Sequence, residues 1–504
     1  MADDYRFLEM LVKRRKTFEQ EPYDAIDALV FSNMAGMPLR GIVASLPKDG
    51  EPNVTISVNS VCKAILSRNR KENFLNADSK RFLAILRGSP RYKEVDLCAY
   101  LNTYDKENVT GISAVTAILP KPTGKSKHMP MGEMVVAYAG TGAEIERWIE
   151  NLRLLYAESV PAQKAALGYM EGVADLFPEN WIHAAGYSKG DRFATEAAMK
   201  LSEGSSKRLA SLYCVDGPGF NERIARSTYW HKKYVLLKMK LGDKMRTLSP
   251  EKMIVGGLLL DMPGKTRDFF KTDGENFLCH DLYNFRFKNG DFAVVEGNKP
   301  HPGYIRFCEA LQKTLMKFSM ERRVSLVDSL ECIIKTHDIV TFADLATVLQ
   351  KPKVFESIGN LSVAEKAALT TFAANLVTNI KKEKFDYNGN NSAMKALNTA
   401  KKVVLGDLVN PIPRLIRVLG AFTIVVDAVL DAIKDVFKKI GGFFKRKPKE
   451  EAIVADSAER VLPLKGYANS EKTRTVRQQR RAAKAAGKKM TIGPKTAGTG
   501  RGAL

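Results

Sequence analysis

Residues 181–201 read WIHAAGYSKGDRFATEAAMKL. The apolar run 181–185 has the length of a buried strand, and Ala194, Ala197, Ala198 and Leu201 share one face of a 3.6-residue helix. Between them, Gly186-Tyr187-Ser188-Lys189-Gly190 forms a G-x-S-x-G at a strand-to-helix turn. Small residues on both flanks let the backbone double back there and lift the serine hydroxyl clear of the sheet. The N-terminus of the following helix favours developing negative charge beside it. Outward from this point, β-rich runs at 95–102, 112–119, 134–139, 209–215, 253–260 and 292–295 alternate with helical patterns at 144–156 and 162–176. That alternation predicts an α/β domain with a mostly parallel sheet flanked by helices. Upstream, 22–37 and 60–86 read as a helical lead-in, and 121–131 as a surface loop.

A serine nucleophile needs a base, an orienting acid and an oxyanion hole. In α/β hydrolases the acid and then the histidine follow the nucleophile along the chain. His231, His280, His301 and His337 lie after Ser188. His280, in Leu278-Cys279-His280-Asp281, follows a late strand by a loop and is the leading candidate. Asp216 closes the run 212–215 and opens Asp216-Gly217-Pro218-Gly219-Phe220, a strand end followed by turn residues. Asp261, ending Gly-Leu-Leu-Leu-Asp, competes with it, and the sequence leaves the choice open. The Lys189 amide is one oxyanion donor, and the turn Ala139-Gly140-Thr141-Gly142 offers a second.

The chain has 504 residues, 45% apolar and 27% charged, which excludes a wholly disordered, collagenous or membrane-bundle protein. Its formal charge is +23. Residues 441–504 carry 16 basic and 5 acidic side chains, nearly half of that excess, so the tail calls for an acidic partner. Six scattered cysteines without a C-x-x-C pair point to no metal centre, and no motif calls for a cofactor. The first apolar patch is broken by Lys13, Arg14, Arg15 and Lys16, unlike a secretory signal, and no uncharged apolar stretch reaches the length of a spanning helix. The expected location is cytoplasmic, with peripheral attachment to a membrane as the option the tail opens.

With these residues laid out, the chain resembles the Mbeg-like family of bacterial α/β-hydrolase-like proteins, related to the class 3 lipases and without a settled substrate. The likeness runs over about residues 5–380. It is carried by Lys16-Thr17-Phe18, Ile26-Asp27-Ala28-Leu29, Ala137-Tyr138-Ala139-Gly140-Thr141, Trp148, Val160-Pro161-Ala162-Gln163 and the G-x-S-x-G itself. Asp216-Gly217-Pro218-Gly219-Phe220, Ile254-Val255-Gly256, His280-Asp281, Glu321-Arg322 and Val327-Asp328 continue it. The resemblance implies an α/β-hydrolase-like fold with Ser188 as nucleophile, His280 as base and Thr141 in the oxyanion region. The family's turn usually reads Gly-His-Ser-Lys-Gly-Gly, whereas this chain has Tyr187 and Asp191. Ala139 stands where Arg is usual, and Phe285 lies near the place of a missing Trp.

The expected organisation is a hydrolase-like domain over 1–320, a helical packing segment over 321–385, an amphipathic helical segment over 400–446 and a disordered basic tail over 447–504. In 405–444 a broad apolar stripe adjoins Asp427, Asp431 and Asp435, and basic residues crowd its end. That pattern fits a helix in an anionic membrane interface; a basic helix on nucleic acid, from 474–489, and plain packing are its competitors. The leading functional expectation is ester hydrolysis, on a lipid-like substrate, by Ser188, His280 and Asp216. The alternative is a degenerate hydrolase fold that binds membrane or nucleic acid through its C-terminus.

Overall fold

The computed structural model describes residues 4–48, 51–105, 110–120, 132–141, 145–274 and 276–336, together with Glu365 and Ala368. Its strands are β1 (Asp4–Arg6), β2 (Ile56–Ser57), β3 (Asp96–Asp105), β4 (Thr110–Ile118), β5 (Glu133–Tyr138), β6 (Trp181–Tyr187), β7 (Leu209–Val215), β8 (Met245–Pro250), β9 (Asp268–Phe270), β10 (Arg286–Lys288) and β11 (Asp291–Phe292). The helices are α1 (Phe7–Lys13), α2 (Ala25–Ala35), α3 (Val58–Glu72), α4 (Ala77–Gly88), α5 (Ile145–Arg153), α6 (Pro161–Leu176), α7 (Lys189–Lys200), α8 (Glu203–Lys207), α9 (Glu222–Ala225), α10 (Thr228–Leu241), α11 (Pro302–Met316) and α12 (Met320–Thr336).

Strands β2 to β9 form one eight-stranded sheet in chain order. Neighbours from β5 to β9 run parallel, each joined through helices except the last pair, whereas β2 to β5 run antiparallel. The fold is therefore α/β, as expected, with an antiparallel margin. Alternate residues of the strands enter two different cores: Val135 and Ala137 face one side, Met134, Val136 and Tyr138 the other. Helices α6, α7 and α10 cover the second face, and α1 to α4 cover the first.

Two expected strands are placed differently. The run 253–260 is a loop with a single 3-10 turn at Val255–Gly257, and Gly257 packs so closely on Cys308 that a Cβ there would stand 2.3 Å from its Sγ. The sheet position belongs instead to β8, whose Met-Arg-Thr-Leu-Ser-Pro lacks a continuous apolar run. Of the run 292–295 only Phe292 is in a strand, β11, which belongs to a separate small sheet with β10 and β1. Beyond the sheet, α11 and α12 follow, and α12 opens the stretch expected as the helical packing segment. The loop 121–131, the rest of the 321–385 packing segment beyond α12 apart from Glu365 and Ala368, the amphipathic segment and the basic tail lie outside the described residues.

The lead-in helix has a larger part than a cap. Every residue of α2 except Asn33 is buried, and its third residue, Asp27, has no exposed surface. Asp27 accepts from Arg91 Nε at 2.8 Å and Nη2 at 2.5 Å, Arg14 Nη2 at 3.0 Å and Tyr92 Oη at 2.7 Å. Burial alone would push this carboxyl up, but the Arg91 bonds and the two guanidinium charges hold it below the usual carboxylate range. Arg91 also donates to the carbonyls of Lys16, Glu21 and Pro22, and its guanidinium lies 4.0 Å from the Phe18 ring. The N-terminal motifs 16–18 and 26–29 are thus one tethering point. Removing one partner of a buried, bonded charge pair leaves the other uncompensated. Asp27→Asn is expected to cost about 3–5 kcal/mol in denaturant unfolding, and a cost below about 1 kcal/mol would show that the tether is unimportant.

Candidate active site

Ser188 stands between β6 and α7 with φ 56° and ψ −128°. A non-glycine residue there carries about 1–3 kcal/mol of backbone strain, held by its neighbours. The Ser188 amide donates to Val215 O at 2.9 Å, and its carbonyl accepts from Asp191 N at 3.0 Å. The glycines of the motif are sterically required: a Cβ on Gly186 would lie 2.2 Å from Gly190 O, and one on Gly190 would lie 2.3 Å from Tyr138 O. Gly140 comes close from the other side, where a Cβ would stand 2.8 Å from that of Ser188.

His280 ends a 3-10 turn (Asn276–His280) beyond β9. Its Nε2 lies 2.8 Å from Ser188 Oγ and its Nδ1 2.6 Å from Asp216 Oδ2. Ser188 is 5% exposed and Asp216 fully buried. Asp216 follows β7 with φ 49°, a left-handed conformation that Asp tolerates better than most residues. Its amide donates to Leu248 O at 2.7 Å, and its Oδ1 accepts from Gly256 N at 3.2 Å.

Asp261, the competing acid, is turned elsewhere. It accepts from Arg267 Nε at 2.8 Å and Nη2 at 2.5 Å, with Lys265 Nζ at 3.5 Å. Burial would raise its pKa, but Lys265 and Arg267 outweigh that and hold it at about 2. Arg267 also donates to Ser249 Oγ at 2.7 Å and to Gly256 O at 2.9 Å. The Gly256 residue is therefore fixed at both ends, its carbonyl by Arg267 and its N–H against Asp216. Among the other histidines, His301 accepts from Gly303 N at 3.2 Å as the cap of α11, and His231 lies on α10. His337 is outside the described residues.

The Lys189 amide opens α7 directly after Ser188, and Thr141 follows the Gly140 that comes close to Ser188. The Thr141 hydroxyl accepts from Asn151 Nδ2 at 2.9 Å. The Lys189 side chain is buried and donates to Glu150 Oε2 at 2.5 Å. Glu150 also accepts from the amides of Gly111 at 3.1 Å and Ala162 at 3.2 Å. Sequence reasoning missed Glu150. The one signal was a lysine in the first turn of a helix, where the dipole disfavours a cation and a carboxylate is needed nearby.

The departures from the family pattern have structural partners. Tyr187 stacks on the His280 ring at 5.2 Å between centroids and 20° between planes, and its hydroxyl donates to the His280 carbonyl. Phe285 packs edge-on against Tyr187 at 6.3 Å. Burial pushes the Tyr187 phenol well above its ordinary pKa, which keeps it a neutral donor. Asp191 lies over Gly217, where a Cβ would stand 2.2 Å from its own Cβ. Beside His280, burial raises the Asp281 carboxyl to about 6, and this residue caps the next turn by accepting from Tyr283 N at 3.1 Å.

Residues 86–331 match the Mbeg1-like family model, which bears out the resemblance over that span; the match includes all five candidate site residues. The likeness read at 5–85 and 332–380 extends beyond it. Comparison with curated proteins finds no match. Among solved structures the chain is similar to a fungal lipase in an inhibitor complex, described as a model for interfacial activation in lipases. The identity is 12% over 49% of this chain and 90% of that chain, with a TM-score of 0.27.

The Asp261–Arg267 pair gives a pH prediction. Because the folded carboxyl has a pKa of about 2, below the ordinary 3.8, the unfolded chain binds more protons between these values. The pair's contribution is present above about pH 4 and lost as pH falls toward 2. Asp261→Asn should flatten the dependence of unfolding free energy on pH in that window; an unchanged slope would show that the pair does not couple to folding.

Proposed function

We propose that the chain is a serine hydrolase that cleaves a carboxylic ester through an acyl-enzyme, with a lipid-like ester as substrate. The observation that carries this reading is the continuous hydrogen-bonded chain from Ser188 through His280 to Asp216, with Ser188 held at a strained turn between β6 and α7. Ser188 Oγ attacks the acyl carbon while His280 Nε2 takes its proton. The resulting oxyanion is held by backbone amides at Lys189 and in the Gly140-Thr141 turn, assisted by the positive end of α7. His280 returns the proton to the departing alkoxide, and the alcohol leaves. Water then attacks the acyl-enzyme with His280 again as base, which releases the carboxylic acid and restores Ser188. Asp216 keeps the imidazole in the tautomer with Nδ1 protonated and stabilises the imidazolium.

The lipid-like character of the substrate rests on the resemblance to lipase-related proteins. The role at an anionic membrane surface read for 400–446, with the basic tail behind it, belongs to the same proposal. Among the described residues no helix is long and apolar enough to cross a membrane.

Hydrolysis of p-nitrophenyl butyrate by the full chain provides the test. Ser188→Ala and His280→Ala are expected to fall to the buffer rate, and Asp216→Asn to lose about 10⁴ in kcat. Wild-type activity retained by Ser188→Ala would sink the mechanism.

A further inference from the structure

The outer face of α10 has a composition that folding of this domain does not explain. Its inner side, Trp230, Tyr234, Leu237 and Leu241, is buried in the core beside α7. The opposite side remains apolar. Among the described residues seven large hydrophobic side chains are exposed, and four of them, Tyr229, Val235, Leu236 and Met239, lie on this one helix of 14 residues. Leu236 is 53% and Met239 75% exposed. A stabilising surface position gains nothing from such residues, whereas clustered exposed apolar groups mark an interaction face.

The charges on the helix narrow the partner. Residues 228–241 contain four lysines and no acidic residue. Lys238 donates to Gly264 O at 2.7 Å and Lys240 to Ser206 O, so these two ammonium groups turn toward the body. Lys232 and Lys233 remain among the exposed apolar side chains, with the Lys233 ammonium 6.0 Å from the Tyr229 ring centroid. At the N-terminal end, Arg223 and Arg226 are paired with Glu158 and Glu222, so the nearby carboxylates are already neutralised.

We propose that this face of α10 docks on an anionic lipid surface, with Leu236, Met239 and Tyr229 entering the acyl boundary and Lys232 and Lys233 reaching the headgroups. Long lysine stems lie along apolar surface while their charges stay at the polar level, so interleaved Lys and Leu/Met suit such an interface. A second copy suits it less, because two-fold pairing of the face would bring the same lysines together. Nucleic acid suits it less as well, since phosphates would leave Val235, Leu236 and Met239 uncompensated. The inference is independent of the hydrolase reading, and it concerns residues 228–241 rather than the 400–446 segment.

Flotation of the full chain with vesicles tests it, in a Ser188→Ala background so that turnover plays no part. The vesicles are phosphatidylcholine alone or mixed with phosphatidylglycerol. The expected result is flotation with the mixed vesicles only, reduced roughly a hundredfold by Leu236→Glu with Met239→Glu, and reduced also by Lys232→Glu with Lys233→Glu. Unchanged thermal unfolding of both variants would show that the exposed substitutions leave the fold intact. Equal flotation of wild type and variants overturns the proposal, as does no flotation of the wild type. A variant that changes oligomeric state instead of flotation assigns the face to a second copy and overturns it too.

Discussion

The constraint on which the site depends is the lack of space at the turn between β6 and α7. Gly186 and Gly190 touch each other's backbone, and Gly190 also meets the carbonyl of Tyr138 on the neighbouring strand. Within that contact Ser188 has no ordinary backbone conformation available and takes φ 56°. The strain is sustained by the sheet: the Ser188 amide is bonded to Val215, the last residue of β7, and the next residue, Asp216, is bonded to Leu248 of β8. Three adjacent parallel strands therefore fix the hydroxyl and the carboxylate relative to each other. His280 then closes the gap from a loop.

That loop is the less rigid element by construction, and it is supported from two directions. On the sheet side, Tyr187 stacks under the imidazole and bonds the His280 carbonyl, with Phe285 behind it. On the outer side, β1 pairs with β10, and Arg286 meets Asp4 at 3.1 Å while Arg6 meets Asp273 at 2.5 Å. Phe7 continues the contact by packing on Tyr283 and Phe287. The N-terminal residues thereby brace the segment that carries His280, and Arg14, bonded to Asp27 of α2, ties them to the rest of the domain.

Much of this was legible from local pattern. The strands at 134–139, 181–185 and 209–215 and the helices after the first two were marked by apolar runs and 3.6-residue spacing, and the G-x-S-x-G pointed to Ser188. His280 emerged from chain order and its loop position. The choice between Asp216 and Asp261 was not legible, because both end apolar runs; it turns on Arg267, six residues along the chain, which takes Asp261 for itself, and on the tertiary packing that brings His280 to Asp216. Strand β8 was missed because its alternation is mixed, and 253–260 looked like a strand because its leucines and valine are apolar for packing in a loop. The Glu150 partner of Lys189 had only the wrong-sign charge at a helix start to announce it. Tyr187 and Phe285 looked like two separate departures in sequence, and only folding makes them one contact.

The most direct test is covalent: incubate the full chain with a fluorophosphonate, locate the adduct by peptide mass, and repeat with His280→Ala. A single adduct on Ser188 that disappears when His280 is replaced is the expected result, because a serine hydroxyl without its base is a poor nucleophile. An adduct on another residue, or a folded protein whose Ser188 stays unmodified, would contradict an activated nucleophile at this turn.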